Sequence, residues 1–331
     1  MSVAFGRAEL PPEQLDALRR ARRVEWWSIA FLAVTIVAVF AVMGNSQAMR
    51  TAWAEDLLSL APPIAFLIAV RIVRKPPTEK YPYGLHRSVG VGHLVAAVAL
   101  LGMGAFLVID AASGLFRAEH PPIGTMSLFG ATFWAGWAMV AVMALTIAPP
   151  ILFGRAKMRL AETLHDKVLY ADADMNKADW MTATGSIVGV LGIGVGLWWA
   201  DAAAALFISG SILWDGVKNL RSAITDLMDT RATTFDGSEP HPVIERLEGL
   251  LRGLPWVAEA GARVRDEGHV FHAEAFVVPR RRPPSLRRLR AAREACEALD
   301  WKLHDVTIVL VDELPEEVGG RSGEEQSEAR G

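Results

Sequence analysis

The sequence predicts an all-α polytopic membrane domain of six transmembrane helices, followed by a small α+β, ferredoxin-like cytosolic domain. Three observations carry this expectation. Long uncharged runs dominate Trp26 to Leu220, basic residues collect in alternate loops, and Arg231 to Gly331 turns polar with mixed periodicity. The predicted organisation is a cytosolic segment at 1–23, a membrane domain at 24–230, a tail domain at 236–314 and a disordered acidic end at 315–331.

A spanning helix needs about 20 apolar residues to cross about 30 Å of hydrocarbon. Trp26 to Met43 lacks Asp, Glu, Lys and Arg and is the first span. The second, Thr51 to Val70, contains Glu55 and Asp56. Ser88 to Ile109 is the third and Thr125 to Gly154 the fourth, where Pro149-Pro150 should end or kink the helix. The fifth starts before Asp172 and runs to about Leu197, and the sixth covers Ala202 to Leu220. Met1 to Arg23 is charged, and the apolar run after it is too long for a signal-peptide core, so a membrane anchor is expected.

Basic residues set the orientation. Arg71, Arg74, Lys75, Lys80 and Arg87 follow the second span; Arg155, Lys157, Arg159 and Lys167 follow the fourth; Lys218 and Arg221 follow the sixth. The opposite loops hold little more than Arg50 and Arg117. Both termini are therefore expected in the cytosol.

In the tail, His241 to Leu254 and Leu286 to Leu299 have helical spacing, while Val257–Val264, Val270–Val278 and Asp305–Val311 read as strands. That order suggests a ferredoxin-like half-sandwich. Pro315 to Gly331, acidic and Gly-rich, reads as disordered.

Composition narrows the function. A net charge of −3 argues against nucleic acid as the main partner. One cysteine, Cys296, excludes an internal disulfide framework and a Cys-rich metal site, and it reads as a small core residue. Ionisable groups inside spans are costly and are functional candidates by default. Glu55 and Ser59 share a helix face four residues apart, with Asp56 about 100° around the axis. Asp172, Met175 or Asn176, and Asp179 form a stripe on the fifth helix. Oxygen donors from two helices suit a cation held between them, exchanged against protons. Asp110, Asp201 and Asp215 lie near helix ends and read as solvated. Gly185, Gly189, Gly192, Gly194 and Gly196 read as a close-packing face. The Gly-Xaa-Gly-Asp pattern of intramembrane aspartyl hydrolases is absent, and no enzyme is expected.

From Trp26 to about Pro315 the chain resembles the cation diffusion facilitator family. Three stretches carry the resemblance: the loop from Arg71 to Arg87 with Pro-Pro-Thr-Glu-Lys-Tyr-Pro-Tyr-Gly-Leu-His-Arg; Tyr170-Ala-Asp-Ala-Asp-Met-Asn-Lys-Ala-Asp179 with the Trp-Met-Thr-Ala that follows; and Trp198-Trp-Ala-Asp201 with the helix to Asp229. The resemblance implies a homodimeric secondary transporter that exports a divalent metal from the cytosol by proton antiport, in the cell (inner) membrane of a bacterium. Its partners would be lipid, the transported metal and protons, with no tightly bound cofactor. An alternative is a membrane-embedded metal sensor or scaffold that keeps the fold without transport.

The family's four-ligand site maps onto Glu55, Ser59, Met175 and Asp179, with Asp56, Asp172 and Asn176 as further candidates. Only Asp179 is the usual residue. A set without imidazole is less suited to zinc. Its oxygens favour harder ions such as manganese or iron, and a thioether favours soft ones. Tyr81 and Leu85 stand where the family has loop ligands, and the tail's usual metal histidines have no match at His269 or His272. Arg87 and Asp229 fall where the family has a charged interlock near the dimer interface.

Overall fold

The computed structural model describes residues 11–73, 75, 78–117, 123–128, 131–268 and 270–319. The chain divides into two compact units, one of residues 16–227 and one that contains 228–331.

The first unit is helical. Helix α1 (Pro12–Val42) is one continuous rod that begins well before the apolar run. Helix α2 (Gln47–Leu58) follows after a short turn. Its N-terminus is capped by Ser46, whose side chain accepts from the Met49 amide. Helix α3 (Ala61–Val73) continues the same stretch after a break at Ser59–Leu60. The break follows from Pro62 and Pro63, which lack the N–H groups that the Leu58 and Ser59 carbonyls would need. Helix α4 (Ser88–Phe116) comes next.

The fourth expected span starts at Thr125, and here the structure corrects the expectation. Thr125–Leu128 (β1) and Ala131–Trp134 (β2) form an antiparallel hairpin, and helix α5 (Ala135–Leu145) starts only after it. Thr-Met-Ser-Leu alternates polar and apolar residues at the period of a strand, which an average of hydropathy hides. Pro149-Pro150 interrupts the helix without ending it: α6 (Ala148–Leu164) resumes with proline in its first turn, where a missing N–H costs nothing. Helix α7 (Lys167–Gly194) is capped by Asp166, which accepts from the amides of Val168 and Leu169 at 3.0 Å each. Helix α8 (Ala200–Leu227) completes the unit.

Among the described residues, five helical stretches are long and apolar enough to cross a membrane: Pro12–Val42, Gln47–Val73, Ser88–Phe116, Ala135–Leu164 and Ala200–Leu227. The remaining long helix, α7, spans 28 residues but carries Lys167, Asp172, Asp174, Lys177 and Asp179 in its first two thirds. It packs against α2, α5, α6 and α8.

Glycines set the closest helix approaches. A Cβ on Gly192 of α7 would collide with the Cβ of Ala200, and one on Gly189 would lie 2.9 Å from the Cβ of Ala204, in keeping with a close-packing face there. Gly196 is not part of it, because it follows the helix at a φ of +92° with open space where a Cβ would sit. The broadest helix pair is α4 with α8. There a Cβ on Gly216 would lie 2.8 Å from the Leu101 Cα, and one on Gly104 2.9 Å from the Leu213 amide nitrogen. Backbone cannot step aside, so alanine at either position must push the helices apart. Gly104→Ala and Gly216→Ala are each expected to destabilise the protein by about 1–3 kcal/mol. Thermal unfolding in detergent checks this.

The second unit contains α9 (Val243–Arg252), β3 (Val257–Asp266), β4 (Phe271–Pro279), α10 (Leu286–Glu297), β5 (Leu303–Leu310) and α11 (Glu316–Gly319). The sheet order is β3-β4-β5, with β3 antiparallel to β4 and β4 parallel to β5. Val243, Ile244, Leu247 and Leu251 of α9 bury against Val257, Phe271, Val277, Leu303 and Val306 of the sheet. Cys296 lies in that core, and burial pushes its thiol up to about 12, as suits an unreactive packing residue. The expected disorder from Pro315 does not begin there. Helix α11 packs on β3, where Gly261 leaves room for the buried Val318. The rest of that acidic end, and His269, lie outside the described residues.

His272 of β4 stands opposite Asp305 of β5, with Nδ1 3.4 Å from Oδ2. Hydrogen bonding to Asp305 raises the imidazole above its ordinary value, against the opposing pull of burial. A raised folded-state value means that protonation favours the fold. The contribution is complete below the unfolded-state value of 6.5 and is lost as pH rises through the folded value. The full-length protein should therefore unfold at lower temperature at pH 8 than at about pH 6, and His272→Gln should flatten that difference.

Candidate metal site

Glu55 lies in the last turn of α2, and Ser59 is that helix's C-cap residue. Both side chains are buried. Asp179 lies in the middle of α7 and accepts a hydrogen bond from the Ser59 hydroxyl at 2.8 Å. The Glu55 carboxylate lies in the electrostatic field of Asp179, and its Oε2 has no hydrogen-bond partner among the described residues. Asp56, on the adjacent face of α2, lines a small cavity together with Asp179, Thr182, Thr35 and Thr146. The structure thus gathers oxygen donors of α2 and α7 at one level of the bundle. The break ends α2 at this level, and the Ser59 hydroxyl bonds across to α7 rather than to its own helix.

Other sequence candidates are placed differently. Met175 packs into an apolar cluster with Ala54, Leu58, Leu100, Leu107, Ile208 and Ile212. Asn176 donates to the Asp172 carbonyl one turn earlier, at 2.7 Å. Asp172 is held by the Lys157 ammonium at 2.7 Å. Arg87 donates to the Leu227 carbonyl at 3.3 Å, and Asp229 pairs with Arg265 at 3.7 Å. No group of three or more His, Cys, Asp or Glu side chains able to hold a metal occurs among the described residues.

Two buried features escape the sequence pattern. Lys157 of α6 is fully buried, and its ammonium lies 3.0 Å from Glu25 of α1 and 2.7 Å from Asp172 of α7. Its third contact is the Ser28 hydroxyl at 3.1 Å. Three helices are thereby tied by one ammonium between two carboxyl groups. By position Lys157 belongs with the basic loop after the fourth expected span, but α6 runs through that segment as helix. Asp201, expected to be solvated near a helix end, is instead fully buried. It accepts from the Ser46 hydroxyl and the Gln47 amide, both at 2.6 Å. It joins α8 to the start of α2, where a carboxylate complements the helix dipole.

The family model for a cation efflux transmembrane domain matches residues 26–228, more than half of the chain. The chain belongs to the cation diffusion facilitator family. Facilitators of this kind are integral membrane transporters of cations, not enzymes. The chain is 26% identical over 246 residues to the manganese efflux system protein MneS of Bacillus subtilis, covering 72% of this chain and 79% of that protein. It is 21% identical over 197 residues to the manganese efflux system protein MneP of the same organism, covering 57% and 62%. The magnetosome protein MamB of Magnetospirillum gryphiswaldense is 23% identical over 215 residues, covering 64% and 68%. As a facilitator, this protein carries its buried carboxylates on α2 and α7 within the matched region.

Proposed function

We propose that this facilitator exports a divalent metal ion, manganese foremost, in exchange for protons, as a homodimer. The observation that carries the reading is the Ser59–Asp179 hydrogen bond beside the buried Glu55, whose Oε2 is left open. Two carboxylates that hold one divalent cation or two protons keep the same net charge in both states. The loaded and the protonated forms then reorient across the membrane at similar electrostatic cost. Rocking of the bundle about a midmembrane site would expose the two states alternately.

Oxygen donors without imidazole favour a hard divalent ion, and two relatives are named for manganese efflux. In this reading α7 is a sixth span, with Asp172 and Asp179 turned to the bundle interior. Both termini lie in the cytosol of a bacterial cell bounded by the membrane that holds the protein. The αββαβ tail acts as a ferredoxin-like dimerisation module, with Arg87 and Asp229 near the dimer interface. No tightly bound cofactor is required.

Purified protein reconstituted into vesicles tests the proposal. Manganese flux should accelerate several-fold when protons can run down a gradient in the direction opposite to the metal, and collapsing the gradient should remove the gain. Equal flux with and without the gradient would exclude antiport. Manganese binding without any flux would leave the sensor or scaffold reading instead.

A further inference from the structure

The tail carries an open cleft of about 1190 Å³ that plays no part in the transport site. One wall is apolar, built by Leu254, Trp256 and Ala292. The other is cationic. Arg280 is fixed in place, its Nε donating to the Val257 carbonyl at 2.7 Å. Arg281 and Arg282 from the β4–α10 turn, and Arg288 from α10, line the same cleft, and none of the three has an ionic partner among the described residues. The surrounding ion pairs, such as Arg293 with Glu297 and Arg246 with Asp300, show that neighbouring arginines do find carboxylates.

A second observation points the same way. Helix α10 begins without a side-chain cap on its N-terminal amides and without an acidic residue in its first turn. Arg287 and Arg288 stand there instead, so cations face the positive end of the helix dipole. Such a start is unfavourable alone and becomes favourable when an anion is added. Unpaired guanidinium forks match the geometry of phosphate oxygens, to which they bind bidentately. The apolar wall with its indole suits an organic body attached to that phosphate.

We propose that this cleft binds a phosphate ester with an apolar or aromatic body, either the headgroup of an anionic lipid or a soluble nucleotide. Calorimetric titration of the detergent-solubilised full chain with ADP, and separately with dihexanoyl phosphatidic acid, tests this. At least one probe should bind, and Arg281→Gln/Arg282→Gln/Arg288→Gln should weaken that binding at least about ten-fold. Binding of ADP assigns a soluble ligand; binding of phosphatidic acid alone assigns a lipid. These three side chains are exposed, so the variant should keep the wild-type melting temperature. Arg290→Gln removes one charge from α10 outside the cleft lining and should change affinity by less than about two-fold. The proposal is overturned if neither probe binds, if the triple variant binds as wild type does, or if the control variant loses as much.

Discussion

Asp179→Asn is expected to abolish metal flux, by at least about 100-fold, while leaving the protein folded. The loss should exceed the 10–100-fold cost of removing a group that merely supports a ligand. Asparagine keeps the volume and can still accept from the Ser59 hydroxyl, which now donates at 2.8 Å. A neutral amide is also cheaper to bury than a carboxylate, so thermal stability in detergent should hold or rise. Flux lost at unchanged stability separates chemistry from misfolding. Ser59→Ala, which removes only the hydroxyl, should cost about ten-fold. Full transport by a Glu55→Gln/Asp179→Asn double variant would remove this site from the mechanism.

The largest effect on stability is expected from Lys157→Met. That change leaves Glu25 and Asp172 buried with no cation between them. Stranding one partner of a buried ion pair costs about 3–5 kcal/mol, whereas replacing all partners by neutral groups of similar volume is often close to neutral. Lys157→Met should therefore lower the melting temperature sharply, and Glu25→Gln/Lys157→Met/Asp172→Asn should recover most of the loss. A triple variant no better than the single one would mean that the three groups do not act as a unit. The cycle also bears on α7, because Asp172 lies two turns before Asp179 on the same helix.

The apolar runs are legible in the sequence because an uncharged stretch of bilayer length has no favourable place in water. Glu55 stands out because it interrupts such a run, whereas Asp179 lies among the other charges of α7, which is not one of those runs. Composition alone misleads where local pattern matters more. Thr125 to Leu128 falls inside the apolar stretch read as the fourth span, yet it alternates like a strand. Glu25 and Lys157 sit at the ends of apolar runs, where charges are routine, and only three-dimensional packing reveals that they meet. Asp201 escapes for the same reason: its partners Ser46 and Gln47 lie more than 150 positions away in the chain. The tail strands show in their alternation, within a few residues of their observed ends.

The two double-proline breaks have a consequence for motion. Pro62-Pro63 and Pro149-Pro150 each sever the main-chain hydrogen-bond ladder part-way along a membrane-length stretch, the first beside Ser59 and the second beside Thr146. Thr146 and Pro150 line the same small cavity as Asp56 and Asp179. Bending at these points breaks no ladder bond, because the prolines never supplied one. Both rods are thus articulated like elbows at the depth of the carboxylates, and the halves on either side can swing while the acidic groups stay at the pivot.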